Sequence, residues 1–260
     1  MRRLAFILVD GLRDDTARRC MGTLLALQEA GRARWTTLRC ELPSLSRPLY
    51  ATVIGGKRPV DHGILTNDQA GVRLDDTLFD DVHARGGTSA VAAYDWFLEL
   101  LAGERFAPAR HRTAACASRG VVAGSWYFED HYPDSHLLAD AEDLRRRHAP
   151  DLLFVHPMGL DNAGHVHGGA SPAYDLAARK LDMALALLLA QWHADGYDVV
   201  LTSDHGMGAD RMHGGDTPEE RAVPFVWMPA DGDAAREPAA WPADQLGIRR
   251  FALERMAGAR

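Results

Sequence analysis

The sequence has few cysteines, no long apolar run and no excess of positive charge. Its three cysteines, Cys20, Cys40 and Cys116, are an odd number without CxxC spacing, which argues against a redox or metal role and fits a reduced compartment. The longest apolar stretch, residues 183–192, is about ten residues where about twenty are needed to cross a bilayer. Two arginines precede an apolar run at the start. That run is short and passes into Asp10-Gly11 without a small-residue cleavage site, so it reads as a strand rather than a signal peptide. These absences predict a cytoplasmic protein without membrane contact. A formal net charge of −7 provides no general basic face to displace counterions from a nucleic-acid polymer. A small anionic substrate held by local cations remains compatible with it. Internal repeats and low-complexity linkers are lacking as well.

What is present suits one large globular domain over residues 1–260, with 47% apolar and 25% charged residues. Apolar runs at 4–9, 35–42, 88–93, 151–155, 197–203 and 222–228 read as strands. Helices are predicted over 14–30, from Pro48 to Gly55-Gly56, over 75–85, 136–147 and 173–193, and from a cap at Asp244 to about residue 256. Their alternation implies a three-layer α/β/α sandwich around a mostly parallel sheet. Residues 94–133 are aromatic but poorly periodic, and part of them is expected to form a lid or wall over a site.

The most informative stretch is Tyr197-Asp-Val-Val-Leu-Thr-Ser-Asp-His-Gly-Met207. An apolar strand there delivers a carboxylate and an imidazole side by side as the backbone leaves the sheet, where open α/β sheets place their chemistry. Gly206 is read as allowing a sharp turn. Asp10 and Asp161 also follow predicted strands, His165 lies four residues beyond Asp161, and His213 nine beyond Asp204. Asp10, Asp161, His165, Asp204, His205 and His213 are six mixed oxygen and nitrogen donors, a set that suits two zinc-like ions. Clustered carboxylates repel unless a cation neutralises them.

The ordered motifs Asp10-Gly11, Pro43-Ser-Leu-Ser46-Arg-Pro48, His62-Gly63-Ile64, Asp161-x-x-Gly-His165-x-x-Gly168, Ser203-Asp-His-Gly-Met207 and His213-Gly214 resemble the alkaline phosphatase superfamily. The nearest branch is the nucleotide pyrophosphatase/phosphodiesterase family, and the motifs cover residues 10–214. The resemblance implies an alkaline-phosphatase-like fold with minimal insertions and two divalent ions, zinc first and manganese or magnesium as alternatives. One ion would be held by Asp161, His165 and His213, the other by Asp10, Asp204, His205 and the nucleophile's oxygen. Ser46, two residues before Pro48, corresponds to the nucleophile; Ser44 is the rival hydroxyl at the wrong spacing. Asn67, twenty-one residues beyond Ser46, corresponds to an asparagine that donates to a phosphoryl oxygen. No clear ligand set for a third ion is present.

Metal coordination would lower the Ser46 hydroxyl pKa, and a helix opening near Pro48 would favour both alkoxide and bound anion. Two in-line displacements through phosphoryl-Ser46 would retain configuration at phosphorus. Two dications against three carboxylates leave a small positive charge suited to a diester monoanion. Arg47 departs from the aromatic common in the phosphodiesterase branch. Turned inward, it could clamp a phosphomonoester bidentately; turned outward, it would be solvated. His156 and His167 read as structural or ligand-orienting residues. The sequence therefore predicts a metal-dependent phosphodiesterase or nucleotide pyrophosphatase acting on a small phosphorylated substrate such as a nucleotide derivative. The alternatives are a phosphomonoesterase, a phosphomutase of the same superfamily, and a metal-bound protein without turnover.

Overall fold

The structure, a computed structural model, describes residues 1–232 and 241–257. Seven strands form one sheet: β1 Arg3–Val9, β2 Arg34–Arg39, β3 Ser89–Tyr94, β4 Val121–Tyr127, β5 Leu152–Val155, β6 Tyr197–Ser203 and β7 Ala222–Met228. The order across it is β2-β7-β6-β1-β5-β3-β4. All neighbours pair in parallel except at β7, which runs against both β6 and β2. Helices α1 Asp14–Cys20, α2 Gly22–Glu29, α3 Ser46–Gly55, α4 Pro59–His62, α5 Leu78–Ala84 and α6 Asp95–Ala102 lie in the first half of the chain. They are followed by α7 Pro108–His111, α8 Asp134–His148, α9 Gly159–His167, α10 Pro172–Ala194, α11 Pro218–Arg221 and α12 Gly247–Ala257.

Strand side chains alternate between faces, so β1 divides its burial between two cores. Leu4, Phe6 and Leu8 join residues of α3, α5, α6 and α12 on one face. Ala5, Ile7 and Val9 join α1, α2, α8, α9 and α10 on the other. Both faces being covered explains the uninterrupted apolar run. Phe6 stacks on Phe154 at 5.5 Å, and burial of such a side chain contributes roughly 1.5–3 kcal/mol. This is the α/β sandwich that the alternation of elements predicted.

Two local expectations need correction. The helix predicted over 14–30 is two helices, broken at Met21, whose ψ of 76° leaves the helical region. Met21 is fully buried there, so packing outweighs helical continuity. The second helix then resumes at Gly22, a poor helix former. Asp14 does not cap; it accepts hydrogen bonds from Trp35 Nε1 at 2.7 Å and Thr37 Oγ1 at 2.6 Å. Second, α3 begins at Ser46, two residues before Pro48. Proline is tolerated there because first-turn N–H groups have no intrahelical partner. Residues 94–133 contribute α6 and the edge strand β4 to the sandwich, and Trp96 of α6 packs against Arg47, next to Ser46. The cap at Asp244 is present: its Oδ1 accepts from Leu246 N at 3.0 Å and Gly247 N at 3.3 Å.

Candidate active site

β6, β1 and β5 are parallel neighbours, so their carboxyl ends lie side by side. The residues just past them are Asp204, Asp10 and His156. Asp161 is not at a strand end; it sits in the first turn of α9, with His165 one turn further on the same face. Gly11 has φ +69°, and a Cβ there would lie 3.0 Å from the Asp161 Cα. Glycine therefore lets the β1 exit touch α9. At Gly206 the requirement is close passage rather than a sharp turn, since a Cβ would meet the Glu219 carbonyl oxygen at 2.0 Å.

The six sequence-selected donors converge. His205 Nε2 lies 3.4 Å from Asp10 Oδ1 and 3.2 Å from Asp204 Oδ2. His165 Nε2 lies 3.3 Å from Asp161 Oδ2 and 3.2 Å from His213 Nε2, which is 3.6 Å from Asp161 Oδ1. The rings of His205 and His213 stack at 3.7 Å and join the two halves. Each imidazole directs Nδ1 at a backbone carbonyl: His205 at Gly206 (2.8 Å), His165 at Arg211 (2.9 Å) and His213 at Ser44 (2.8 Å). A carbonyl only accepts, so these partners assign the proton to Nδ1 and turn Nε2 inward. Metal-ligating histidines are commonly oriented in this way.

The carboxylates are buried without enough partners. Asp10 Oδ1, Asp161 Oδ1 and Asp204 Oδ2 have no hydrogen bond, and neither does His156 Nε2. Burial raises the Asp161 and Asp204 carboxyls above the usual range, and the Asp10 charge raises them further. Burial would raise Asp10 too, but the contact with His156, the His205 and His156 charges and the Tyr50 hydroxyl bring it down to about 2. A hydrogen bond to Asp161 raises His165 to about 9, whereas burial lowers His213 to about 4. Asp10, Asp204 and His205 form one compact donor group, and Asp161, His205 and His213 another. Orphaned buried oxygens beside inward imidazole lone pairs fit divalent cations.

Ser46, at the start of α3, is 5% exposed, and its Oγ lies 3.1 Å from His205 Nε2. Ser44 is turned away: its hydroxyl donates to the Gly215 carbonyl at 2.7 Å and accepts from Gly214 N at 3.0 Å. Asn67 Oδ1 accepts from the Arg47 backbone N–H at 3.0 Å, next to Ser46. Arg47 is 1% exposed, so the solvated reading fails. Its guanidinium is paired through Nη1 with Glu99 at 2.8 Å. His167 is exposed at the end of α9.

Tyr50, Glu99 and Gln245 carry no signal in the sequence motifs, whereas His156 is among the residues read there as structural or ligand-orienting. The Tyr50 hydroxyl donates to Asp10 Oδ2; its position four residues after Ser46, on one helix face, was the available signal. His156 Nε2 lies 3.4 Å from the same oxygen, while its Nδ1 is 3.2 Å from the Tyr127 hydroxyl. Buried Gln245 bonds the carbonyls of Ser203 and Asp204 and accepts from Glu41 N at 3.1 Å. No local pattern marks Glu99 or Gln245.

Residues 4–220 match the profile of the family described as type I phosphodiesterase / nucleotide pyrophosphatase. The catalytic subunit of human GPI ethanolamine phosphate transferase 2 is 21% identical over 86% of this chain and 23% of its own length. GPI ethanolamine phosphate transferase 2 of Aspergillus fumigatus is 24% identical over 87% of this chain and 30% of its own. The chain thus spans under a third of these curated relatives. Among solved structures, murine ectonucleotide pyrophosphatase / phosphodiesterase 5 superposes with a TM-score of 0.62 at 14% identity, covering 80% of this chain and 58% of that one. The C-terminal periplasmic domain of Escherichia coli EptC, in a complex with Zn, gives 0.62 at 15% identity, covering 96% and 81%. These two likenesses concern the fold.

Proposed function

The chain belongs to the type I phosphodiesterase / nucleotide pyrophosphatase family, and on that premise we propose that it cleaves a small phosphodiester or pyrophosphate, such as a nucleotide derivative, through Ser46. The observation that carries this reading is the convergence of three inward imidazole Nε2 atoms and three buried carboxylates beside the Ser46 hydroxyl. Asp10, Asp204, His205 and Ser46 would hold one divalent ion and Asp161, His165 and His213 a second, of a donor type that suits zinc, supplying charge that lowers the serine pKa and offsets charge at phosphorus.

The chain's own groups then divide the work. Ser46 Oγ forms the bond to phosphorus as the bond to the leaving oxygen breaks, giving phosphoryl-Ser46. The start of α3 presents its positive end to the anion. The Asn67 amide nitrogen donates to a non-bridging oxygen, because its Oδ1 is already occupied by Arg47 N–H. Water completes the second displacement. The curated relatives are named as transferases, and their names favour a second reading in which an alcohol takes the place of water.

Substrate charge follows from Arg47. With its guanidinium paired to Glu99, the site has no clamp from that residue for the extra charge of a monoester dianion, which supports a diester. Bis-p-nitrophenyl phosphate should be turned over in preference to p-nitrophenyl phosphate, and strong preference for the monoester would overturn that choice. Product analysis with added glycerol separates hydrolysis from transfer. Ser46→Ala should lower kcat on the order of 10⁴-fold or more while leaving metal content near wild type. Activity surviving that change would remove Ser46 as nucleophile.

A further inference from the structure

Arg47 makes two bonds to one residue. Its backbone N–H donates to Asn67 Oδ1 at 3.0 Å and its Nε donates to the Asn67 carbonyl at 2.9 Å. The second bond exists only while the guanidinium is held in place. Two groups hold it: Glu99 Oε2 accepts from Nη1 at 2.8 Å, and the Trp96 ring lies 4.3 Å from Cζ. Glu99, 4% exposed, also accepts from Gly71 N at 3.2 Å and Phe106 N at 2.9 Å. One buried carboxylate therefore ties together the nucleophile's helix, the turn carrying Asn67 and the segment after α6. An asparagine amide can present either end. Here Oδ1 is committed to a backbone donor, so Nδ2 is the end left to meet a phosphoryl oxygen.

We propose that Glu99 is a positioning residue for phosphoryl transfer, acting through Arg47 to hold the Asn67 amide in its donating orientation without touching substrate itself. This rests on the reading of Asn67 as a donor to the phosphoryl group. Loss of the Glu99 charge leaves the Arg47 guanidinium buried without its counter-ion. Arg47 then has reason to leave the Asn67 carbonyl, and the Gly71 end of the turn loses an acceptor.

The test is a double-mutant cycle in the metal-loaded protein, using Glu99→Gln, Asn67→Ala and both together. The readouts are kcat/KM for bis-p-nitrophenyl phosphate and the affinity for orthovanadate by calorimetry. Asn67→Ala should lower kcat/KM by about 10²-fold, Glu99→Gln by about 10-fold, and the pair no further than Asn67→Ala alone, with the same pattern for vanadate. If Glu99→Gln does not fold, Arg47→Lys replaces it. That variant keeps a cation beside Glu99 but cannot reproduce the Nε bond, and it should show the same dependence on Asn67. Losses that multiply in the double variant would overturn the role of Glu99 alone. An Asn67→Ala protein unchanged in both readouts would refute the Asn67 reading beneath it.

Discussion

The two halves of the site use the same residue types in different surroundings. Asp10, Asp204 and His205 are each 0% exposed and lie directly at the ends of β1 and β6. In the other half, Asp161 and His165 come from α9 and His213 from a loop, and the His165 side chain is 41% exposed. The inner half is also braced more heavily. Asp10 Oδ2 is met by Tyr50 and approached by His156, Asp204 Oδ1 accepts from Gly11 N, and Gln245 bonds the Asp204 carbonyl. The outer half depends on single imidazole-to-carbonyl bonds from His165 and His213. Rigid donors placed by a sheet suit the attacking side of a displacement, and donors nearer solvent suit departure and entry of small groups.

The sharpest way to break this contrast is to remove one donor from each half. Asp204→Ala should abolish turnover and strip metal from the inner half, whereas His165→Ala should weaken binding chiefly in the outer half and leave one tightly held ion. Metal analysis after dialysis against a chelator checks both. Equal losses from the two variants would show that the halves bind as a unit. A smaller change tests the bracing: Tyr50→Phe removes the donor to Asp10 Oδ2 and should lower metal affinity by roughly 10- to 100-fold, read by competition with a chromophoric chelator.

The smallest expected effect is a pH dependence of the metal-free protein. His165 is raised from 6.5 to about 9 by its hydrogen bond to Asp161, so the folded state binds this proton more tightly than the unfolded chain does. The pair's contribution is complete below pH 6.5 and is lost as pH rises through about 9. Thermal melts across that window should show a decline that His165→Gln reduces. An unchanged decline would assign it to other groups.

Part of the candidate site was legible because three of its donors follow a simple rule: polar residues directly after apolar strands. Asp10, Asp204 and His205 obey it, and the Asp161 to His165 spacing needed only a helical turn. Glu99 and Gln245 obey no such rule. Each lies far along the chain from the residues it supports, and its role arises only when α6 or the segment before α12 packs beneath the site. The same limit concealed β4, whose place at the sheet edge depends on β3.

By itself the sequence determined the α/β sandwich, six of its seven strands and the candidate donor set, because hydrophobic periodicity and local motifs are short-range properties. The tertiary structure decided the direction of Arg47. Its neighbour in sequence is Ser46, yet its charge is satisfied by Glu99, fifty-two residues away, and a buried charge goes where a counter-charge and hydrogen-bond acceptors meet it.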